Sequence, residues 1–150
     1  MRVTLGVICV LFGLLGWAGQ LISAIHFPLA QRLGLQEQNE GTDGLFRTCE
    51  RNTAMWDVFV LWTLPVASIL MLMDQHWWPA VSLIAGAIHL DTAGREAMKL
   101  LSLRSAGVRT GSAKELRISA GLFSVMAIIA LVVMAYALWA LGTRVAMPGG

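Results

Sequence analysis

Four ionisable side chains fall within the eight residues HLDTAGRE at positions 89–96, namely His89, Asp91, Arg95 and Glu96. Imidazole and carboxylate groups exchange protons and bind cations, so this cluster could serve proton transfer or ligand binding. Asp91 and Arg95 stand four residues apart, a spacing that lets them pair along one face of a helix. The cluster directly follows an apolar segment, WWPAVSLIAGAIHL, so its chemistry depends on whether it lies in water or inside a membrane.

Counting helical rise places this cluster inside a membrane. The preceding segment is apolar only from Trp77 to Leu90, and these 14 residues cover roughly 21 Å of helix. The hydrocarbon core is about 30 Å thick, so a helix that begins at Trp77 must continue to about Glu96 to cross it. The same count predicts a polar layer in the inner half of the membrane, formed by Gln20, Asp57, Asp91, Arg95 and Ser119, with His89 nearer the centre and His26 and Glu50 nearer the cytoplasm.

Charge at this depth needs a partner, because an unpaired charge inside the membrane costs about 2.5–3.5 kcal/mol on insertion scales. Asp57 has no partner on its own helix, so we predict that it pairs with Arg95 or His89. The layer is then either a structural ion-pair network that joins three helices or a site for a proton, a cation or another ligand. The candidate site residues are Gln20, Asp57, His89, Asp91, Arg95 and Glu96, with His26 and Glu50 as secondary candidates.

The same side chains do not predict a metal centre or a catalytic group. Histidines and carboxylates are common metal ligands, but the chain has no HxxxH, HExxH or ExxH spacing. Glu50 and Asp57 are seven residues apart, about 10 Å along a helix, which is too far to act on one bond. We therefore predict no catalytic residue, no metal site and no cofactor.

The composition predicts an integral membrane protein. Hydrophobic residues make up 57% of the 150-residue chain and charged residues only 13%, with a mean hydropathy of +0.68. Four apolar segments predict an all-α, up-down four-helix transmembrane bundle in a single domain, 1–150. The predicted spans are about 3–27, 54–73, 77–96 and 118–141, and the predicted cytoplasmic loops are about 28–53 and 97–117. Pro65 predicts a kink in the second span.

Charge distribution predicts the orientation. The two longer loops and their flanks hold nine of the eleven Lys and Arg residues, and only Arg2 and Arg144 lie on the other side. Cytoplasmic loops are enriched in Lys and Arg, so both termini are expected on the outer side. Two further local features are a helix N-cap at Asp43 and small residues along the first span, Gly6, Gly13, Gly16 and Gly19, which favour close helix packing.

Three functional classes fit this architecture. The net charge of +2 argues against nucleic-acid binding, and the two cysteines form no CxxC pair. The leading interpretation is a non-enzymatic subunit or scaffold that packs in a homo-oligomer or a larger membrane complex. The second is a small proton-coupled transporter or ligand-binding protein that uses the polar layer. A metal-dependent membrane enzyme ranks third, and the sequence favours a protein that is not an enzyme.

Size and span count also resemble those of several groups of small bacterial four-span proteins, multidrug exporters among them. That resemblance implies a bacterial cytoplasmic membrane as the location, with the lipid bilayer as the main partner. An exporter of that type is shorter and carries an acid in its first span, where this chain has Gln20.

Overall fold

The structure, a computed structural model, describes residues 1–146, apart from the side chains of Asn39 and of residues 144–146, so the side chain of Arg144 lies outside the described part. Its helices are α1 (Arg2–Ile25), α2 (Phe27–Arg32), α3 (Gly44–Val60), α4 (Thr63–Leu72), α5 (Trp78–Ser105) and α6 (Ala113–Ala146), with a 3-10 turn at Asn39–Gly41. No strand occurs within residues 1–146, apart from an isolated bridge between Thr42 and Thr110. The prediction of an all-α protein is confirmed.

Three helical segments are long and apolar enough to cross a membrane: Arg2–Ile25, Gly44–Leu72 and Ala113–Thr143. They are compatible with an integral membrane protein in contact with lipid. Helix α5 has 28 residues and is therefore about 42 Å long, which is ample for a span. Helix α5 is not among the three apolar segments because it contains more polar and charged residues. It therefore differs from them in composition rather than in length.

The helices pack in chain order, with α1 against α3 and α4, α4 against α5, and α5 against α6. We call the end of the bundle at residues 73–77 the hairpin end, and the opposite end, at residues 33–43 and 106–112, the loop end. At the hairpin end Met71 and Trp78 pack against Ala137 and Ala140 of α6. One helical turn or more further in, Cys9, Leu64, Ala67, Ala85 and Val133 join all four long segments in one apolar core. The helices in this half of the bundle thus pack around apolar side chains.

The predicted kink at Pro65 is confirmed as a break between α3 and α4. Proline has no N–H to donate to the carbonyl of Leu61, and its ring crowds that carbonyl. The helix is interrupted at residues 61–62. The Thr63 hydroxyl donates to the Val60 carbonyl at 2.7 Å, and the Ser68 hydroxyl donates to the Leu64 carbonyl at 2.7 Å. Side-chain hydroxyls thus compensate part of the disturbed backbone bonding near the break.

The loop end is more structured than the sequence predicts. Helix α1 ends at Ile25, before Pro28, because His26 leaves helical geometry and its Nδ1 accepts the Leu29 N–H at 3.1 Å. Pro28 lies in the first turn of α2, where its missing N–H has no intrahelical acceptor to lose. Pro28 thus belongs to the start of the second helix and does not end the first.

Asp43 occupies the predicted N-cap position of α3, but its side chain does not cap the helix. Its carboxylate instead accepts the Arg109 backbone N–H at 2.8 Å and the Arg109 Nε–H at 2.9 Å. Arg109 holds the pKa of this exposed carboxyl below its usual value, first through the backbone N–H and then through the guanidinium. The bridge between Thr42 and Thr110 lies beside this pair, so the two long loops are fastened to each other.

The glycines of α1 have two different environments. A Cβ at Gly6 would stand 2.7 Å from the Leu72 side chain, and one at Gly13 would stand 2.6 Å from the Pro65 ring. Both glycines therefore allow close packing of α1 on α4 within one chain. A Cβ at Gly16 would meet nothing within 4 Å, and one at Gly19 would only reach Leu35 at 4.0 Å. The glycines accordingly give no support to packing between copies of the chain.

Gly13→Ala tests the close approach of α1 to α4. The added methyl collides with the Pro65 ring and lies 3.1 Å from its backbone nitrogen, so one helix must shift. We expect a loss of about 1–3 kcal/mol in the free energy of unfolding, as for other overpacked interiors. Gly16→Ala is the matched control, because it makes the same chemical change on the same helix in open space. Equal stability of the two variants in denaturant titrations of the detergent-solubilised protein would contradict this packing.

Candidate functional site

A cavity of about 330 Å³ lies in the loop-end half of the bundle. It is lined by α1, α3, α5, the start of α6, and the loop around residues 35–37. Four carboxylates line it: Glu37, Glu50, Asp57 and Glu96. Its apolar lining comes mainly from α1 and α6 and includes Phe12, Trp17, Leu122, Phe123 and Met126. The cavity thus has one acidic wall and one apolar wall.

The acidic wall is built by helical spacing on α3 and α5. Glu50 and Asp57 are two turns apart on α3, and the buried residue Ala54 lies on the same face. On α5 the buried residues His89, Thr92, Ala93 and Glu96 form one stripe at spacings of three and four. These two faces meet in one wall of the cavity through direct ion pairs, although their residues are far apart in the sequence.

Lys99 links the two helices at the edge of this wall nearest the loop end. Its Nζ lies 2.7 Å from Glu50 Oε1 and also pairs with Glu96 Oε2. The same nitrogen donates to the Thr53 hydroxyl at 3.1 Å. One ammonium therefore neutralises part of two carboxylates, one from each helix. Lys99 itself is not among the residues that line the cavity.

Asp57 forms the second link and is the most buried charged group of the site. Its side chain is only 1% exposed, and Oδ1 accepts a hydrogen bond from an Arg95 guanidinium nitrogen at 3.1 Å. The other oxygen, Oδ2, has no hydrogen-bond partner. A buried acceptor without a partner costs about 1–3 kcal/mol, and more when it is charged. Asp57 is therefore only half satisfied by the protein.

Glu96 repeats this pattern. Its side chain is 8% exposed, Oε2 is paired with Lys99, and Oε1 has no partner. Gln36 adds a third case at the loop, because its Nε2 donates to the Ser23 hydroxyl at 3.3 Å while its Oε1 is buried without a partner. All three residues line the cavity. The cavity is thus bordered by hydrogen-bond acceptors that the described part of the chain leaves unused.

His89 and Trp17 help to define the walls. His89 is buried, and its Nδ1 lies 2.9 Å from the Ala85 carbonyl, which can only accept, so this nitrogen donates. Trp17 Nε1 donates to the Val58 carbonyl at 3.0 Å, which fastens α1 to α3 and holds the indole at the cavity. Of the two predicted partners of Asp57, Arg95 makes the contact.

The structure brings together only part of the predicted polar layer. Residues that line the cavity are Gln20, Glu50, Asp57, His89, Glu96 and Ser119. Arg95 reaches Asp57 from the rim, with its own side chain 39% exposed. Their role in function stays a prediction, but their proximity is a feature of the fold.

Asp91 and His26 lie elsewhere. Asp91 is exposed and sits two residues from His89, about 200° around the helix, so it faces away from the cavity. The expected local pair between Asp91 and Arg95 is not among the ion pairs of the described residues, because Arg95 turns to Asp57. His26 is exposed and serves as the N-cap of α2. The rise per residue gives the position of a side chain along the bundle axis, but it does not determine which face of the helix carries that side chain.

Three charged or amide side chains near the cavity were not predicted from the sequence: Lys99, Gln36 and Glu37. Lys99 stands three residues after Glu96 and could have been found as its helical neighbour. Gln36 and Glu37 come from the loop and reach the cavity because that segment folds back over α1. No periodic signal in the sequence indicates this fold of the loop.

A metal centre has no support from the geometry. Within the described residues, no group of three or more His, Cys, Asp or Glu side chains could hold a metal ion. Cys9 and Cys49 are both free thiols. The side chains that line the cavity can exchange protons, form ion pairs and make hydrogen bonds.

Glu37 is the carboxylate of the site that lies in a loop, and its pKa is raised from 4.5 to about 7. Burial is the main cause; its own backbone N–H opposes the shift, and the nearby charges of Glu50 and Glu115 add to it. Its protonated form therefore predominates below neutral pH, where an ordinary glutamate would be ionised.

A raised pKa predicts a stability that falls as the pH rises. The folded protein holds the Glu37 proton more tightly than the unfolded chain, so its contribution is fully present below about pH 4.5 and is lost as the pH rises through about 7. We expect the unfolding midpoint of the wild type to drop across neutral pH and that of Glu37→Gln to drop less. Glu40→Gln, an exposed change in the same loop, is the control and should behave as the wild type does. Identical pH profiles for all three proteins would contradict the assignment.

Comparison with known proteins gives no relative from which a function could be transferred. No protein-family model, no curated protein and no solved structure matches the chain. The function is therefore inferred from the geometry and chemistry of the cavity.

Proposed function

We propose that the chain is a small-molecule-binding membrane protein whose ligand occupies the cavity between α1, α3, α5 and α6. The observation that carries this proposal is Asp57, a residue of the cavity lining that is almost fully buried and paired through one carboxylate oxygen, while its other oxygen has no hydrogen-bond partner. A transporter, coupled to protons or not, would bind its substrate in the same cavity. Binding is the property that the geometry supports most directly.

The form of the cavity fits this role. Small-molecule sites typically enclose about 300–1,000 Å³, with a mostly apolar lining and a few polar groups that fix orientation. The present cavity measures about 330 Å³ and combines aromatic and aliphatic walls with a compact acidic group. A ligand of modest size would contact both walls and would be oriented by Asp57 and Glu96.

The competing role is a non-enzymatic subunit or scaffold in a homo-oligomer or a larger complex. For that role the ion pairs between α3 and α5 would serve only to lock the helices. A lock is most stable when every buried charged oxygen is paired, since an unpaired one is a cost with no return. The unpartnered oxygens of Asp57 and Glu96 therefore favour a binding site over a pure lock.

We further propose that α5 is a fourth span, with both termini on the outer side of a bacterial cytoplasmic membrane. Helix α5 is long enough, and Glu96 and Lys99 are paired within the protein rather than directed to lipid. Arg2 at the start of α1 pairs with Asp74 at the hairpin end, where residues of α6 near its end also pack. The start of α1 and the later part of α6 thus lie at the same end, which supports the proposal of an up-down bundle.

Binding can be tested by filling the cavity. We would titrate 4-phenylbutylamine, 4-phenylbutanol and 4-phenylbutyrate into the protein in phosphatidylcholine nanodiscs and measure heat, with empty nanodiscs as the blank. At least one compound should bind saturably, and Gly16→Leu should weaken its binding by about tenfold or more, because Gly16 lines the cavity and its Cβ would meet open space. Gly121→Leu is the control, since Gly121 also has free space but lies outside the cavity. If none of the three compounds binds, or if Gly16→Leu binds as the control does, the proposal fails and the scaffold role gains.

The four-span topology can be tested by labelling with a membrane-impermeant maleimide. In a chain with Cys9 and Cys49 replaced by alanine, Gln75→Cys lies in the hairpin and Ala106→Cys follows α5, and both positions are exposed. In intact cells Gln75→Cys should react and Ala106→Cys should react only after permeabilisation. Reaction of both positions before permeabilisation, or of neither, would show that α5 does not cross.

A further inference from the structure

We propose that the ligand is an amphipathic organic ammonium ion, with its nitrogen at Asp57 Oδ2 and Glu96 Oε1 and its apolar part against the wall formed by α1 and α6. This inference rests on the proposed function and adds the chemical class of the ligand. It follows from the balance of charge, from the kind of unused hydrogen-bonding atoms and from the division of the cavity into two walls.

The charge balance favours a cation. Carboxylates line the cavity at four positions, whereas the two nearby cations, Arg95 and Lys99, are not among the lining residues and are already paired. Even with Glu37 protonated, the carboxylates outnumber these cations by one. This excess of negative charge attracts a positive ligand and repels an anion.

The unused hydrogen-bonding atoms favour a ligand that donates. Asp57 Oδ2, Glu96 Oε1 and Gln36 Oε1 are all acceptors, and all belong to residues of the cavity. Among the described residues, no buried side-chain donor without a partner lines the cavity. A primary ammonium group carries three N–H donors and no acceptor, so it complements this set. Hydrogen bonds between an ammonium and a carboxylate are also about twice as strong as neutral ones.

The apolar wall distinguishes an organic ammonium from an inorganic cation. Phe12, Trp17, Leu122, Phe123 and Met126 supply no oxygen ligands. A metal ion of either alkali or alkaline-earth type is held by several oxygens at once, and the carboxylates here are divided between separate ion pairs. An aromatic or alkyl chain attached to the ammonium would instead bury its surface against this wall, at about 25 cal/mol for each square ångström removed from water.

Three compounds of matched shape decide the point. In the nanodisc titration 4-phenylbutylamine should bind with an affinity at least about tenfold higher than 4-phenylbutanol, and 4-phenylbutyrate should bind more weakly than either. A charge-assisted hydrogen bond contributes about 1.5–3 kcal/mol, which corresponds to roughly a 10- to 150-fold difference in Kd. The alcohol keeps the shape and one donor, so the difference from the amine reports the charge.

Variants assign the contact. Glu96→Gln removes one charge while Lys99 keeps its pair with Glu50, so it should fold and should weaken amine binding by about tenfold with little effect on the alcohol. Asp57→Asn should act in the same direction, although it also loosens Arg95. Asp91→Asn is the matched control, since it removes a carboxylate from α5 outside the cavity and should leave binding unchanged.

The outcomes separate this inference from the proposed function. If the alcohol binds as tightly as the amine and Gly16→Leu abolishes both, the cavity is a binding site but not one for ammonium ions. If the amine binds preferentially but Glu96→Gln matches Asp91→Asn, the nitrogen does not lie at the proposed carboxylates and the inference is overturned. If no compound binds, the proposed function itself fails.

Discussion

The structure depends on the pairing of α3 with α5 through buried charge. Asp57 meets Arg95, and Lys99 lies between Glu50 and Glu96. Helices in lipid gain little from hydrophobicity alone, because lipid chains are as apolar as leucine, so packing and polar contacts must hold them together. Helix α5 carries charged residues within its length and is not among the segments that are apolar enough to cross a membrane by composition alone. The partners that α3 provides make its charged stripe tolerable.

This pairing also explains why the helices pack closely toward the hairpin end and leave the acidic cavity toward the loop end. At the hairpin end, Gly6 and Gly13 of α1 bring it close to α4, and Ala137 and Ala140 of α6 pack on Met71 and Trp78. Toward the loop end, α3 and α5 meet through long charged side chains, which hold helices further apart than alanine or glycine do. The break before Pro65 separates α4, which packs closely on α1, from α3, which meets α5 through charged side chains. The cavity occupies the space that this change of packing leaves.

The sequence predicts the position of a residue along its helix better than the direction in which the residue points. Rise per residue is nearly constant, so the level of Asp57, Glu96, Gln20 and Ser119 could be counted from the sequence. The face that a residue presents depends on which neighbours the helix acquires. Asp91 shares the level of Asp57 but lies on the other side of α5. Glu37 was out of reach for a different reason, since a loop has no period from which its path can be read.

Structural and functional interpretations of the charged layer are therefore not exclusive. Each of Asp57 and Glu96 uses one oxygen to hold a helix and leaves the other unpartnered, at a cost of about 1–3 kcal/mol for each group. A protein can carry this cost when the paired oxygens and the closed apolar half supply enough stability. A ligand that donates to the free oxygens would remove the cost and would bind the folded state alone, so occupancy and stability would rise together. The stability of the link between α3 and α5 would then depend on whether a ligand occupies the cavity.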